Sequence, residues 1–232
     1  MRCCESRAEP IHPLGARPPL WMDAHPQASR EAHNVGVSIP LHSTVVGVTP
    51  VRHNKRMSAV DGAGPIFRIC FVCTGNICRS PMAEAISRDM AVRDGFGDSI
   101  EFDSAGTGDW HVGEKADPRT LNSLQRAGYS VDGHRAKQFD PDWFGNYDLV
   151  VTFDPSQDRI LKTWAETPEQ RALIRPLLSF CDLHEDAGDV PDPYYGSDEL
   201  FNEVRDLIEH ACEKLLAQVE PVTRAARETA TP

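Results

Sequence analysis

A short apolar run, Ile66-Phe67-Arg68-Ile69-Cys70-Phe71-Val72, leads into a loop and then a proline, and that order limits what the chain can become. The run reads as a buried strand. Cys73-Thr74-Gly75-Asn76-Ile77-Cys78-Arg79-Ser80 follows, and Pro81 fits the start of a helix, where its missing N–H costs nothing. Met82, Ala83, Ala85, Ile86 and Met90 then repeat at helical spacing. A loop wrapped at a helix N-terminus aims several backbone N–H groups at one point, which makes an anion site. The chain therefore places a thiol, Cys73, at the bottom of an anion site.

The rest of the sequence alternates strand and helix. Ser99 to Ala105 alternates apolar and polar residues as a second strand, and Gly106 to Gly113 is a glycine-rich loop carrying Trp110 and His111. Asp117-Pro118 caps a helix with Leu121, Leu124 and Ala127 on one face, ending at Gly128. Tyr147 to Phe153 has the continuous apolar centre of a strand buried in a parallel sheet. Asp154-Pro155 repeats the cap and opens a helix with Ile160, Leu161 and Trp164; Ala172 to Leu178 is a fourth strand. Asp182 to Tyr195 is a polar loop. Ser197 caps the longest helix, whose stripe runs Leu200, Val204, Leu207, Ile208, Ala211, Leu215 and Val219. This order predicts an α/β fold: a single three-layer domain, a four-stranded parallel sheet with helices on both faces and the anion loop after the first strand.

Residues 1–64 differ from the rest. They hold seven of the 18 prolines and five of the nine histidines, and read as a disordered N-terminal extension. Met57-Ser58-Ala59, just ahead of the first strand, would serve as a translation start, so that the extension need not belong to the native product. The domain spans 65–221, and 222–232 is a disordered tail. A net charge of −11 argues against a general nucleic-acid binder. No run approaches the roughly 20 apolar residues of a membrane span, and no signal peptide is apparent. Seven irregularly spaced cysteines do not make a secreted disulfide framework, so a cytoplasmic protein with reduced thiols is expected. His184 and His210 lack partners at metal-ligand spacing, and neither a metal nor a cofactor is expected.

Chemistry concentrates at two places. A strand cysteine flanked by apolar residues is ordinarily core, but Arg79 stands six positions after Cys73. Its fork can hold two oxygens of a phosphate while loop N–H groups hold the others. The same N–H groups and the helix dipole would lower a thiol pKa below its free value of about 8.5, and Ser80 is placed to donate to the thiolate. A nucleophile of this kind needs a general acid for its leaving group. Asp192, in Val190-Pro191-Asp192-Pro193-Tyr194-Tyr195, is the candidate, because flanking prolines stiffen its loop and no helix begins at Pro193. Asp117 and Asp154 read instead as helix caps.

Cys73 to Pro81 together with Asp192-Pro193-Tyr194-Tyr195 resembles the low-molecular-weight protein tyrosine phosphatase family. The likeness runs from about Ile66 to Val219 and takes in Ser104-Ala105-Gly106-Thr107 and His134-Arg135-Ala136; Trp110-His111-Val112-Gly113 is similar to its bacterial branch. The resemblance implies Cys73 as nucleophile, Arg79 as phosphate clamp and Asp192 as general acid. Thr74, Gly75, Asn76, Ile77, Cys78 and Ser80 would form the phosphate-binding loop, with Asn76, Ser80, Ser104 and His134 holding its shape. Trp110, Tyr194 and Tyr195 would wall the cleft. It further implies hydrolysis of phosphotyrosine through a cysteinyl-phosphate, without a metal. Phosphotyrosine proteins are the implied substrates, a tyrosine kinase a further partner, and the protein a monomer or weak dimer. The family's second loop cysteine, here Cys78, implies a protective disulfide with Cys73. Gln157, where the family often has asparagine, is expected to lie away from the chemistry. Two alternatives stay open: an arsenate reductase of the same fold, which needs two further cysteines close together, and a non-catalytic phosphotyrosine-binding module.

Overall fold

The computed structural model describes residues 67–130, 133–181 and 189–230, with side chains to residue 225. The elements in order are β1 (Phe67–Cys73), α1 (Arg79–Arg93), β2 (Ile100–Gly106), α2 (Pro118–Arg126), β3 (Leu149–Thr152), α3 (Pro155–Trp164), α4 (Pro168–Ala172), β4 (Ile174–Pro176) and α5 (Asp198–Ala230). The predicted disordered extension, 1–64, lies outside the described residues, as does the first half, 182–188, of the loop expected from Asp182 to Tyr195.

The four strands form one all-parallel sheet in the order β2-β1-β3-β4. Successive side chains of β1 point to opposite faces, and the two faces carry separate cores. Ile69 and Phe71 pack with Met82 and Ile86 of α1, Leu124 of α2 and Phe201, Val204 and Ile208 of α5. Cys70 and Val72 face the other way, with Phe139, Phe144, Val150 and Leu161 of α3. Helices thus cover both faces, which is why β1 and β3 tolerate no polar alternation. No described helix is long and apolar enough to cross a membrane.

Helix α1 begins at Arg79, two residues ahead of the Pro81 start that was expected, while α2 and α3 start as their sequences dictate. The Asp117 carboxylate accepts from Arg119 N at 2.8 Å, and Asp154 forms a reciprocal capping box with Gln157. A similar box, Thr167 with Gln170, opens α4, an element the periodicity did not predict because five residues are too short to show a stripe. The fourth strand is shorter than expected. Only Ile174 to Pro176 pair with β3, and Leu177–Phe180 turns into a 3-10 helix that buries Leu177 and Phe180. At the C-terminus, the helix runs on to Ala230 where a disordered tail from 222 was expected. Beyond Pro221, Val222 packs on the core and Thr223 is buried, its hydroxyl donating to Glu220 O at 2.8 Å. Burial on that side outweighs the hydrogen bond that Pro221 removes.

From β1 the chain steps outward to β2 and then crosses back to β3. The strand order therefore reverses beside β1, and in open parallel sheets the crevice at the carboxyl ends of the strands at such a point is where ligands bind. Cys73 ends β1 there, and Asp154 follows the end of β3.

Candidate active site

The loop from Cys73 to Arg79 turns on Asn76, whose backbone has φ of 55° and whose side chain is completely buried. Asparagine is among the few residues that enter this left-handed region without glycine's freedom. Every polar atom of its amide is used: Nδ2 donates to Ser80 Oγ at 2.9 Å and to Ser104 Oγ at 3.0 Å, and Oδ1 accepts from Lys137 N at 2.9 Å. The Asn76 carbonyl accepts from His134 Nε2 at 2.8 Å. Ser104 in turn donates to Glu84 Oε2 at 2.5 Å. Three separated segments, the start of α1, β2 and the 134–137 loop, therefore hold one loop residue. Gly106, at the end of β2, lets the sheet approach this closely, since a Cβ there would stand 2.7 Å from Thr74 O and 3.1 Å from Asn76 N.

The Cys73 sulfur lies 3.0 Å from Ser80 Oγ and 3.2 Å from Asn76 N, which donates to it. Ser80 has one proton and two places for it, Cys73 Sγ and the Ala105 carbonyl at 3.2 Å. A thiolate claims that proton; a thiol leaves it to Ala105. Cys78 is also buried, and burial, followed by the nearby Cys73, pushes its thiol up to about 12.

Arg79 is 2% exposed and stretches across the site. Nη1 donates to Asp154 Oδ2 at 2.8 Å and to Val190 O at 3.1 Å, and Nη2 donates to Asp192 Oδ2 at 2.8 Å. Its buried Nε has no partner among the described residues. A buried guanidinium N–H left without a partner is a donor that an anion can satisfy. Burial would raise the Asp154 carboxyl, but the Ser156 hydroxyl and Arg79 outweigh it and hold it below the usual carboxylate range. The expectation that the Asp154–Gln157 turn lies away from the chemistry is corrected here. Asp154 anchors the arginine, and Gln157 Nε2 donates to Thr74 Oγ1 at 3.0 Å.

Cys73, Thr74, Gly75, Ile77, Cys78 and Arg79 form the floor of a cleft of about 360 Å³, with Trp110, His111, Asp192, Tyr194 and Tyr195 as its walls. Trp110 and Tyr195 are 71% and 96% exposed and form an aromatic rim. The Asp192 carboxylate is fixed from two sides, by Arg79 on Oδ2 and by Tyr194 N on Oδ1 at 3.2 Å. A larger hollow of about 590 Å³ between the end of α1 and α5, lined by Asp94, Glu209 and Glu213 among others, contains no thiol or hydroxyl nucleophile.

The site residues predicted from the sequence thus gather at one cleft: Cys73, Thr74, Gly75, Ile77, Cys78, Arg79, Trp110, Asp192, Tyr194 and Tyr195 line it, and Asn76, Ser80, Ser104 and His134 are packed behind the loop. Sequence reasoning missed Asp154, Gln157, Glu84 and His111. A signal existed for the first two, because a residue just after a buried parallel strand lies on the same sheet edge as one just after its neighbour.

A buried arginine and a thiol sharing an anion loop between β1 and α1, with a carboxylate opposite, define a cysteine-dependent phosphatase. Comparison makes the assignment specific. Residues 68–225 match the family model of the low molecular weight phosphotyrosine protein phosphatase, and the chain belongs to that family. A low molecular weight protein-tyrosine-phosphatase of Streptomyces coelicolor is 50% identical over 155 residues, 66% of this chain and 93% of that one. The crystal structure of YfkJ from Bacillus subtilis superposes with a TM-score of 0.64 at 40% identity, covering 69% of this chain and 98% of the other. The YwlE arginine phosphatase, solved as a serine variant with its active-site serine phosphorylated, gives a TM-score of 0.59 at 28% identity over 66% and 96% of the two chains.

Proposed function

We propose that this protein hydrolyses phosphotyrosine in proteins, and small aryl phosphates, through a cysteinyl-phosphate on Cys73. The observation that carries the reading is the placement of Arg79. One guanidinium joins the phosphate loop to Asp192 and lines the same cleft as Cys73, so the clamp, the nucleophile and the acid converge on one point. The Cys73 thiolate attacks phosphorus in line, held by donors from Asn76 N and Ser80. Asp192 gives its proton to the departing phenolic oxygen, and Arg79 with the loop amides stabilises charge on the transferring phosphoryl group. Asp192 then takes a proton from the water that attacks the cysteinyl-phosphate.

Trp110, Tyr194 and Ile77 supply an apolar slot for an aryl ring, which supports phosphotyrosine as the substrate class. The arsenate reductase alternative is disfavoured: the cleft holds two thiols, Cys73 and Cys78, while Cys181 and Cys212 are packed in the core on the α5 side. The domain takes in residues 65–221 and its helical continuation, the protein acts as a monomer or weak dimer in the cytoplasm, and a tyrosine kinase generates its substrates. Cys78 acts as a redox partner of Cys73. Hydrolysis of para-nitrophenyl phosphate that disappears in Cys73→Ser is the expected result. Full activity in that variant would overturn the assignment, and an inactive wild type would favour a binding module.

A further inference from the structure

His111 occupies a built position that the chemistry above leaves unused. Its Nδ1 lies 2.7 Å from Glu114 Oε2, and its ring tilts against Tyr194 at 6.1 Å between centroids. The opposite edge leans on the phosphate loop: a Cβ added to Gly75 would meet His111 Cδ2 at 2.9 Å, with Nε2 at 3.7 Å. With Nδ1 committed to a carboxylate, Nε2 is the free nitrogen, and it lies on the edge beside Gly75 in the cleft that both residues line.

The charge balance of the cleft gives that nitrogen a task. Among the described residues lining it, Arg79 is the one permanent cation, and Asp154 and Asp192 already face it. Arg119, nearby, is committed to Asp117 and to the Tyr194 and Gly196 carbonyls. A phosphate monoester brings about 1.5 to 2 negative charges near neutral pH. The groups facing His111 are Glu114 on its own loop, Cys73 and Arg79 from the phosphate loop, Asp117 at the start of α2, and Asp192 beside Tyr194. Three of these, Glu114, Asp117 and Asp192, are carboxylates that with the entering anion favour a charged imidazole, against the single opposing charge of Arg79.

We infer that His111, oriented by Glu114, is a pH-gated anion-binding residue of the cleft: it takes a proton from solvent as the phosphorylated ligand binds and donates it through Nε2. The inference rests on the phosphatase reading for its substrate but not for its anion. Histidine is the side chain whose charge changes between about pH 5 and 8. The added grip is therefore present at the acidic end of that range and lost as pH rises. Because the effect belongs to binding, it appears in KM and not in kcat.

The test compares wild type with His111→Phe, which keeps a ring against Gly75 and Tyr194 but removes Nε2. With para-nitrophenyl phosphate, the variant-to-wild-type ratio of KM is expected to be about tenfold at about pH 5.5 and below about twofold at about pH 8, with kcat within about twofold. Taking the ratio at each pH cancels the ionisation of the substrate. Glu114→Gln is expected to leave the grip intact at the acid end and to move its loss to lower pH. Independently of turnover, inorganic phosphate should raise the midpoint of the His111 imidazole resonances in an NMR titration, as linkage requires. A KM ratio equal at both pH values would make His111 a packing residue, and an unmoved midpoint would remove it from anion binding; either result overturns the inference. A shifted midpoint in an enzyme that does not turn over para-nitrophenyl phosphate would sink the phosphatase reading alone.

Discussion

Arg79 Nη1 donates to Asp154 Oδ2 at 2.8 Å, tying the arginine that follows β1 to the residue that follows β3. Asp154 also caps α3 through Ser156 N and Gln157 N. One carboxylate thus serves a helix and a guanidinium. Asp154→Asn separates the two, since asparagine caps as well as aspartate but cannot hold the charge. The melting temperature should stay close to wild type while kcat/KM falls about 10- to 100-fold, the effect of a misaimed clamp. Steady-state kinetics beside a thermal melt check this; equal losses in both would make Asp154 a cap alone.

Asp192 stands opposite the nucleophile, fixed by Arg79 and by Tyr194 N. If it protonates the leaving group, Asp192→Ala should slow poor leaving groups by about 100-fold or more and good ones far less. A series of aryl phosphates with graded phenol pKa values measures the slope. A slope unchanged from wild type would place the acid elsewhere.

Asn76 combines a left-handed backbone with three side-chain hydrogen bonds in a site closed to water. Asn76→Ala leaves Lys137 N without its acceptor and alanine in a conformation it disfavours. The expected cost is about 2–4 kcal/mol, from three lost buried hydrogen bonds and the backbone term. Urea unfolding curves measure it, and a loss below about 0.5 kcal/mol would show that the loop keeps its shape without this residue.

Cys78 has a thiol pushed up to about 12, chiefly by burial. Peroxide should convert Cys73 to a sulfenic acid; the Cys78 thiolate then attacks that sulfur, hydroxide leaves, and a disulfide remains. Below pH 12 the fraction of Cys78 present as thiolate grows with pH, by up to tenfold per unit. Protection should therefore close faster in alkaline solution. Activity recovered with dithiothreitol after peroxide, at pH values stepped upward, checks the direction. Recovery that is the same in Cys78→Ser would remove Cys78 from the reaction.

The sequence went far on its own where the causes are local. Strand β1, the loop, the helix α1 that follows it and the aspartate caps at 117 and 154 follow from neighbouring residues, and so does the parallel sheet that their alternation requires. The pairing of Cys73 with Arg79 needed only six residues of chain. Aiming Arg79 needed more, because its partners Asp154, Val190 and Asp192 lie 75 to 113 positions away and meet it only once β1 and β3 are adjacent. The same adjacency turned Asp154 from a helix cap into an anchor, and the close approach at Gly106 let the Asn76 network form. Local rules could not show His111 against Gly75 either, since a glycine accepts a ring only where the tertiary packing delivers one. Chain-local chemistry determined which residues can hold and attack a phosphate; the order of strands in the sheet decided which carboxylates hold them in place.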